Sequence, residues 1–436
     1  MIRWLSAGLF VCAIAVAAFG YGVLAHKDDL FPVPLMREVQ RDLRALVVND
    51  LALDTVRHAA PVETLLPDRL APGLLAISGA DTDFHPVVRV VDRKGAVVQR
   101  WRPDWFALFD DIAFVPEARR PKAAPNAYPH GLAVLPDGGI VLNFEHLATA
   151  AYDACGGLRW ALPNLGHHSV HVTETGEIWV AAEVYHDADP VPYANHRAPL
   201  RAWTAQRISA DGQVLETIDI IALLERLGLR GLLHLSTQMQ RETEVTGDTL
   251  HLNDVETFPE GLASGIFTPG DLMLSLRNIN TVLVLDRETG AVLFQSTGQV
   301  LRHHDPDFVA GDRISVFDNN NTLPAREPVP ASRVVEIDAR TGALTEVLSG
   351  APGAAAGGEP FFTDIMGSHQ RLANGNILVA SGAEGRLLEF LADGRLAWRY
   401  SNRISEDRNG WIYDALLLPP DMDAGFFEEA RAACGG

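Results

Sequence analysis

One motif recurs six times in this chain and restricts the fold more than any other feature. A β-rich run leads into Asp-Gly or Asp-x-x-Gly, and the run that follows often carries Trp or Phe. The copies occupy 87–101, 149–160, 205–218, 281–294, 334–347 and 387–400. Their turn glycines are read as Gly95, Gly157, Gly212, Gly290, Gly342 and Gly394. Such turns need the positive φ angles of a tight hairpin, which glycine supplies without steric cost. A second hairpin precedes several copies, at 130–142, 168–180 and 369–379. Two hairpins make four antiparallel strands, and six such units make an all-β six-bladed β-propeller. The period-2, β-branched character excludes a helical solenoid. The first unit lacks an innermost strand, because 73–78 already reads as the second one. The segment 411–418 is expected to fill the gap and close the ring.

Charge and cysteine content narrow the partners. Lys plus Arg is 36 and Asp plus Glu is 56, giving a net charge of −20. That sign opposes binding to nucleic acid or to anionic headgroups. Three cysteines, Cys12, Cys155 and Cys434, make neither a disulfide framework nor a structural zinc site. A Cys155–Cys434 pair stays open, since sequence gives no distance.

Arg3 precedes an uncharged run from Trp4 to Ala25, about the length that spans a bilayer as a helix. The basic residue in front favours a cytoplasmic N-terminus and an exported remainder. Residues 1–26 are therefore expected to be a transmembrane anchor or a cleaved signal segment, with the protein on the periplasmic side of the inner membrane. Residues 27–69 are read as a stalk, with an amphipathic helix from Leu35 to Leu51. The propeller is expected over 70–436. A homodimer stays open.

The innermost strand of a blade lines the central channel. Here a histidine recurs near its start, as His130, His168, His251, His304 and His369. The second strand returns to the same rim and ends in Asn143 and Glu145, Glu183, Arg277, and Asp318 with Asn319. Repeat arithmetic alone thus gathers imidazoles, an arginine and several carboxylates or amides at one mouth. The alternative is that each histidine merely caps its strand. In the fourth blade, period 2 places His251 and Asn253 on one face. In the fifth, the adjacent His303 and His304 must point to opposite sides, and only one can face the channel.

His251-x-Asn253, Ser275-Leu-Arg277 ahead of TVLVLDRETG, and His304 with Val316-Phe317-Asp318-Asn319 resemble the periplasmic arylsulfate sulfotransferase family. The resemblance runs from about residue 125 to the end. It implies a six-bladed propeller that moves a sulfuryl group from a phenolic sulfate ester to a phenol, through a covalent sulfohistidine and without phosphoadenosine phosphosulfate. It implies His304 as nucleophile, His251, Asn253 and Arg277 as the sulfuryl-binding and acid–base group, and His168 as a further active-site histidine. His130, His303, His369 and Asn319 are expected substrate contacts. No metal or organic cofactor is implied. The chain departs from the family in lacking room for a separate N-terminal β-domain, in lacking a cysteine pair near the site, and in carrying His303-His304 where Gln-His is usual.

The residue types suit that chemistry on their own terms. Sulfuryl transfer resembles phosphoryl transfer, with charge on peripheral oxygens and in-line donor and acceptor. It needs a nucleophile that is neutral near pH 7, a fixed planar cation and a proton donor for the leaving phenolate. Three other readings stay open: a quinoprotein-like propeller suggested by the turns 286–290 and 338–342, a calcium-dependent lactonase-type propeller, and a membrane-anchored assembly platform without activity.

Overall fold

The computed structural model describes residues 2–27, 30–33, 36, 53–235, 244–322 and 331–434. They fall into two units, Met1–Leu51 and Ala52–Gly436. In the first, α1 (Ile2–Lys27) forms from the uncharged run. Side chains are described for 10–26, and Phe10, Val11, Ile14, Val16 and Phe19 are exposed. Among the described residues no helix is long and apolar enough to cross a membrane. The expected span is therefore present as a helix only. The stalk helix expected at 35–51 lies outside the described residues, Met36 apart.

The second unit is the six-bladed propeller. Strands β1 (Leu53–Thr55) and β2 (Val62–Thr64) precede it. Blade 1 holds β3 (Leu75–Ala80), β4 (Pro86–Val91) and β5 (Val97–Trp101). Blade 2 holds β6 (Pro129–Val134), β7 (Ile140–Phe144), β8 (Ala148–Tyr152) and β9 (Leu158–Leu162). Blade 3 holds β10 (Gly166–Val172), β11 (Ile178–His186), β12 (His196–Ile208) and β13 (Val214–Asp219), followed by α2 (Ile220–Arg226) and by β14 (Val245–Gly247) beside β12. Blade 4 runs β15 (Leu252–Thr257), β16 (Leu272–Leu276), β17 (Thr281–Leu285) and β18 (Val292–Thr297). Blade 5 runs β19 (His304–Ala310), β20 (Arg313–Asp318), β21 (Arg333–Asp338) and β22 (Leu344–Ser349). Blade 6 runs β23 (Ser368–Arg371), β24 (Ile377–Ser381), β25 (Arg386–Phe390) and β26 (Leu396–Ser401). After β27 (Arg408–Gly410), β28 (Ile412–Leu417) returns to blade 1, and α3 (Ala424–Ala433) follows.

The ring closes as the repeat count requires. β28 pairs antiparallel with β3, Ile412 opposite Gly79 and Leu417 opposite Leu75, as the missing first strand of blade 1. A second latch was not foreseen. β2 pairs with β26, Val62 opposite Tyr400, and β1 pairs with β27. Both latch strands, β1 and β2, lie ahead of residue 70, within the stretch read from sequence as a stalk. Strands of three residues carry too little alternation to be read from sequence. Cys155 and Cys434 form a disulfide, Cα atoms 6.3 Å apart, joining the β8–β9 turn to the end of α3.

The tryptophans of the repeat weld neighbouring blades. Trp101 Nε1 donates to the Asp153 carbonyl at 2.8 Å, Trp160 to Ala210 at 2.9 Å, and Trp398 to Arg93 at 2.9 Å. Each outer strand thereby docks on the hairpin turn of the next blade. Gly212 sits under Trp160 with φ +83°, where a Cβ would meet the indole at 2.6 Å. In the second copy the positive φ falls on Gly156, not on Gly157. Apolar side chains fill the wedges, Trp179, Trp203, Leu252 and Leu274 among them between blades 3 and 4.

Candidate functional site

The innermost strands do not enter the channel smoothly. Their pairing slips at Pro129/Leu132, His167/Val170, Leu252/Asp254, His304/Asp307 and Ile412/Asp414. A bulge at that point re-aims the side chains beside it. His168, His251 and Asp305 accordingly have φ of 50°, 53° and 50°. Gly131 takes φ +96° against blade 3, where a Cβ would lie 1.8 Å from the His168 carbonyl oxygen. Only glycine lets the two strands approach this closely.

The bulges bring His130, His168, Asn253 and His304 to one pocket, with Asp254, Asp305, Tyr413 and Asp414. His304 is the best defined of them. Its Nδ1 lies 2.6 Å from Asn319 Oδ1. Asn319 Nδ2 donates to the carbonyls of Thr363 at 2.9 Å and Met366 at 2.7 Å. With both its N–H groups committed, Asn319 can only accept from His304. The proton is therefore on Nδ1, and Nε2 carries the lone pair. That Nε2 is buried and has no hydrogen-bond partner. Burial, with the charge of Arg277, holds the His304 pKa well below the usual imidazole range, so the ring is neutral at pH 7.

Arg277 opens the short 3₁₀ turn Arg277–Ile279 after β16. Its backbone N–H donates to the His251 carbonyl at 3.0 Å, and its Nε lies 3.3 Å from Asn278 Oδ1. Among the described residues it forms no ion pair with a carboxylate. Burial pushes its pKa down to about 10, which leaves it charged at neutral pH. A charged arginine with no carboxylate on it is able to receive an anion.

Behind the pocket lies a histidine network. His251 Nδ1 is 2.5 Å from Asp248 Oδ2. Its Nε2 is 2.9 Å from His167 Nε2 and 3.4 Å from His168 Nε2. Burial brings its pKa to about 4 despite the pull of Asp248. The His168 ring centroid is 3.8 Å from that of His130 and 5.0 Å from that of His304. Glu145 Oε2 lies 3.0 Å from His130 Nδ1, and Glu145 Oε1 lies 3.3 Å from His146 Nε2. Burial alone would raise its pKa, but His146, His130 and His168 together hold it well below the ordinary value. Deeper in the channel the balance reverses. Burial, then Asp305, pushes Asp254 up to about 8 and Asp414 up to about 6.

Three expected substrate contacts lie outside the pocket lining. His303 does not line the pocket. It lies just ahead of β19 and turns toward blade 4, with Nε2 3.0 Å from Ser275 Oγ. His369 sits beneath the mouth with both nitrogens engaged, Nδ1 at 3.0 Å from Asp305 Oδ2 and Nε2 at 2.7 Å from Ser315 Oγ. Asn319 stands behind His304 as its hydrogen-bond partner rather than in the pocket lining. Asn253 is in the pocket, donating one N–H to the His303 carbonyl at 2.8 Å and leaving Oδ1 without a partner. Sequence reasoning passed over His167, His146, Asp248 and Arg201. The His167-His168 doublet was the one legible signal. Asp248 and Arg201 lie outside the inner-strand positions that the repeat aligns.

The chain matches the family described as Arylsulfotransferase (ASST) over residues 131–403. No curated protein matches it. Among solved structures it is similar to a protein of unknown function from Bacteroides caccae, at 10% identity and TM-score 0.49, over 79% of this chain and 98% of that one. TolB from Acinetobacter baumannii matches at 12% identity and TM-score 0.42, over 79% and 66%. The periplasmic gluconolactonase PpgL of Pseudomonas aeruginosa matches at 13% and 0.39, over 80% and 99%. Likeness at that level carries no argument about this chain. The family match stands apart from it, because it spans well over half of the sequence and takes in blades 2 to 6 with His168, His251, Arg277 and His304. On that match the chain belongs to the arylsulfotransferase (ASST) family.

Proposed function

We propose that this chain transfers a sulfuryl group from a phenolic sulfate ester to a phenol, through a covalent adduct on Nε2 of His304. One observation carries the reading: a buried, neutral imidazole whose tautomer is fixed by Asn319 and whose Nε2 lone pair has no partner. In the first half-reaction Nε2 attacks sulfur, the sulfur–aryl oxygen bond breaks, and the phenolate leaves and takes its proton from water. In the second, the acceptor phenol attacks sulfur, the N–S bond breaks, and the phenolic proton passes to a neutral neighbouring imidazole, which releases it to water. Arg277 supplies fixed positive charge for the sulfuryl oxygens. His251 and His168 are the bases that receive the phenolic proton. Asn253 has a second N–H for a sulfuryl oxygen and a free Oδ1 that can accept from a phenol O–H.

Trapping tests the reading. The protein is incubated with an aryl sulfate and no acceptor, quenched, and the added mass mapped. Label on His304, lost in His304→Ala together with burst release of phenol, is the expected result. Label on His303, or a full burst in His304→Ala, would refute it.

We also propose that the propeller works outside the cytoplasmic membrane, tethered by α1 or released from it. The support is Arg3 ahead of an uncharged run and a Cys155–Cys434 disulfide, a bond that persists in oxidising compartments. A C-terminal reporter active only in the cytoplasm would contradict this.

A further inference from the structure

We infer that His167, His168 and His251 form a binding site for one divalent first-row transition ion of the zinc class. The inference rests on ring geometry and stands independently of the proposed sulfuryl transfer. One nitrogen from each ring lies within 4.8 Å of the other two. His251 Nε2 is 2.9 Å from His167 Nε2 and 3.4 Å from His168 Nε2. Tetrahedral zinc with Zn–N bonds of about 2.05 Å separates its ligand nitrogens by about 3.3 Å, and the two distances bracket that value.

The proton positions make the convergence meaningful. Asp248 accepts from Trp203 Nε1 at 2.9 Å and pairs with Arg201 Nη1 at 3.2 Å. It is thus a fixed carboxylate, and His251 must place its proton on Nδ1 to meet Asp248 Oδ2 at 2.5 Å. The Nε2 lone pair of His251 then faces the other two rings. His167 Nδ1 lies 3.0 Å from Glu145 Oε2, off the line of an N–H bond. His167 Nε2, 2.9 Å from that lone pair, carries the proton of a hydrogen bond to it. That proton satisfies one pair of nitrogens, whereas a metal ion in its place would engage all three. A carboxylate behind a ligating imidazole is the usual outer support of such an ion, and here Asp248 and Glu145 occupy those places. His168 and His251 are both held at positive φ, a strain that collects at ligand sites. Imidazole ligands select zinc, cobalt, nickel or copper over calcium and magnesium, which prefer oxygen. An ion here would take the lone pair that His251 uses in proton transfer, so the loaded and proton-transferring forms of the site are alternatives.

Cobalt titration of the full chain, after treatment with chelator and dialysis, decides the matter. The expected result is visible d–d absorption of four-coordinate Co²⁺, saturating at one equivalent, abolished by Zn²⁺ and untouched by Ca²⁺ or Mg²⁺. His167→Ala should lose the absorption. Asp248→Asn keeps all three ligands and should weaken binding by about 10- to 100-fold, which keeps the test decisive if His167→Ala does not fold. Melting curves establish that each variant is native. Absence of saturable one-equivalent binding, or unchanged affinity in both variants, would overturn the inference. Because the readout is the ion itself, a chain that binds cobalt but transfers no sulfuryl group would refute the proposed reaction and leave this site standing.

Discussion

Replacing Asn319 by alanine tests the proposed nucleophile without touching it. Asn319 is fully buried, and its Oδ1 is the acceptor that holds the His304 proton on Nδ1. In Asn319→Ala that N–H has no acceptor. The tautomer with the proton on Nε2, which cannot attack sulfur, gains by whatever the lost bond was worth. A buried donor left unsatisfied costs about 1–3 kcal/mol. At 1.36 kcal/mol per tenfold, the ratio of competent to incompetent tautomer falls by about 5- to 160-fold, which takes the competent form from dominant to a minority. The burst of phenolate from a chromogenic aryl sulfate, followed by stopped flow, should slow several-fold. The donor KM should stay put, because Asn319 is behind the ring and not against the ester. The carbonyls of Thr363 and Met366 also lose their donor, so the variant should melt lower, and the assay belongs well below that transition. A folded variant whose burst rate stays within twofold of the parent, or whose defect is confined to KM, would show that Asn319 does not set the tautomer.

Arg277→Ala should slow the burst by about 10²- to 10³-fold, as when one donor to a developing anion is removed, and a smaller effect would mean that Arg277 does not face the sulfuryl oxygens. Burial and Arg277 hold the His304 pKa well below its ordinary 6.5, so loss of the burst with the 6.5 midpoint of an ordinary imidazole, traced to His304, would contradict the assignment. The Asp254 carboxyl, pushed from 3.8 to about 8 by burial and then Asp305, binds its proton more tightly folded than unfolded. Stability is therefore lost as pH rises through that window. Asp254→Asn should gain over the parent by about 1.4 kcal/mol per pH unit between pH 4 and 8, and a gain independent of pH would refute it. Reducing Cys155–Cys434, which closes a loop across 279 residues, should lower stability by about 2–5 kcal/mol in denaturant titrations, and an unchanged midpoint would show that β2 and β28 alone close the ring.

What the sequence determined by itself was whatever the repeat carries. Glycine-bearing turns and period-2 runs are local signals copied six times, with a tryptophan on three of the outer strands, and each copy corroborates the others. They determine the blade count, the closure by 411–418 and the gathering of His130, His168 and His304 at one mouth. Tertiary structure alone decided the contacts with no period behind them. The β2–β26 latch and the Cys155–Cys434 bond join residues hundreds of positions apart. The bulges at His167/Val170 and Leu252/Asp254 break the alternation, and so turn His167 and His251 toward one another, which strict period-2 counting could not give. His369 fell beneath the mouth because a histidine near the start of a strand is only as well placed as that strand's first pairing. Burial decided the rest: it makes His304 neutral, lowers the Arg277 pKa and raises that of Asp254, because desolvation depends on everything packed around a group and not on its neighbours in the chain.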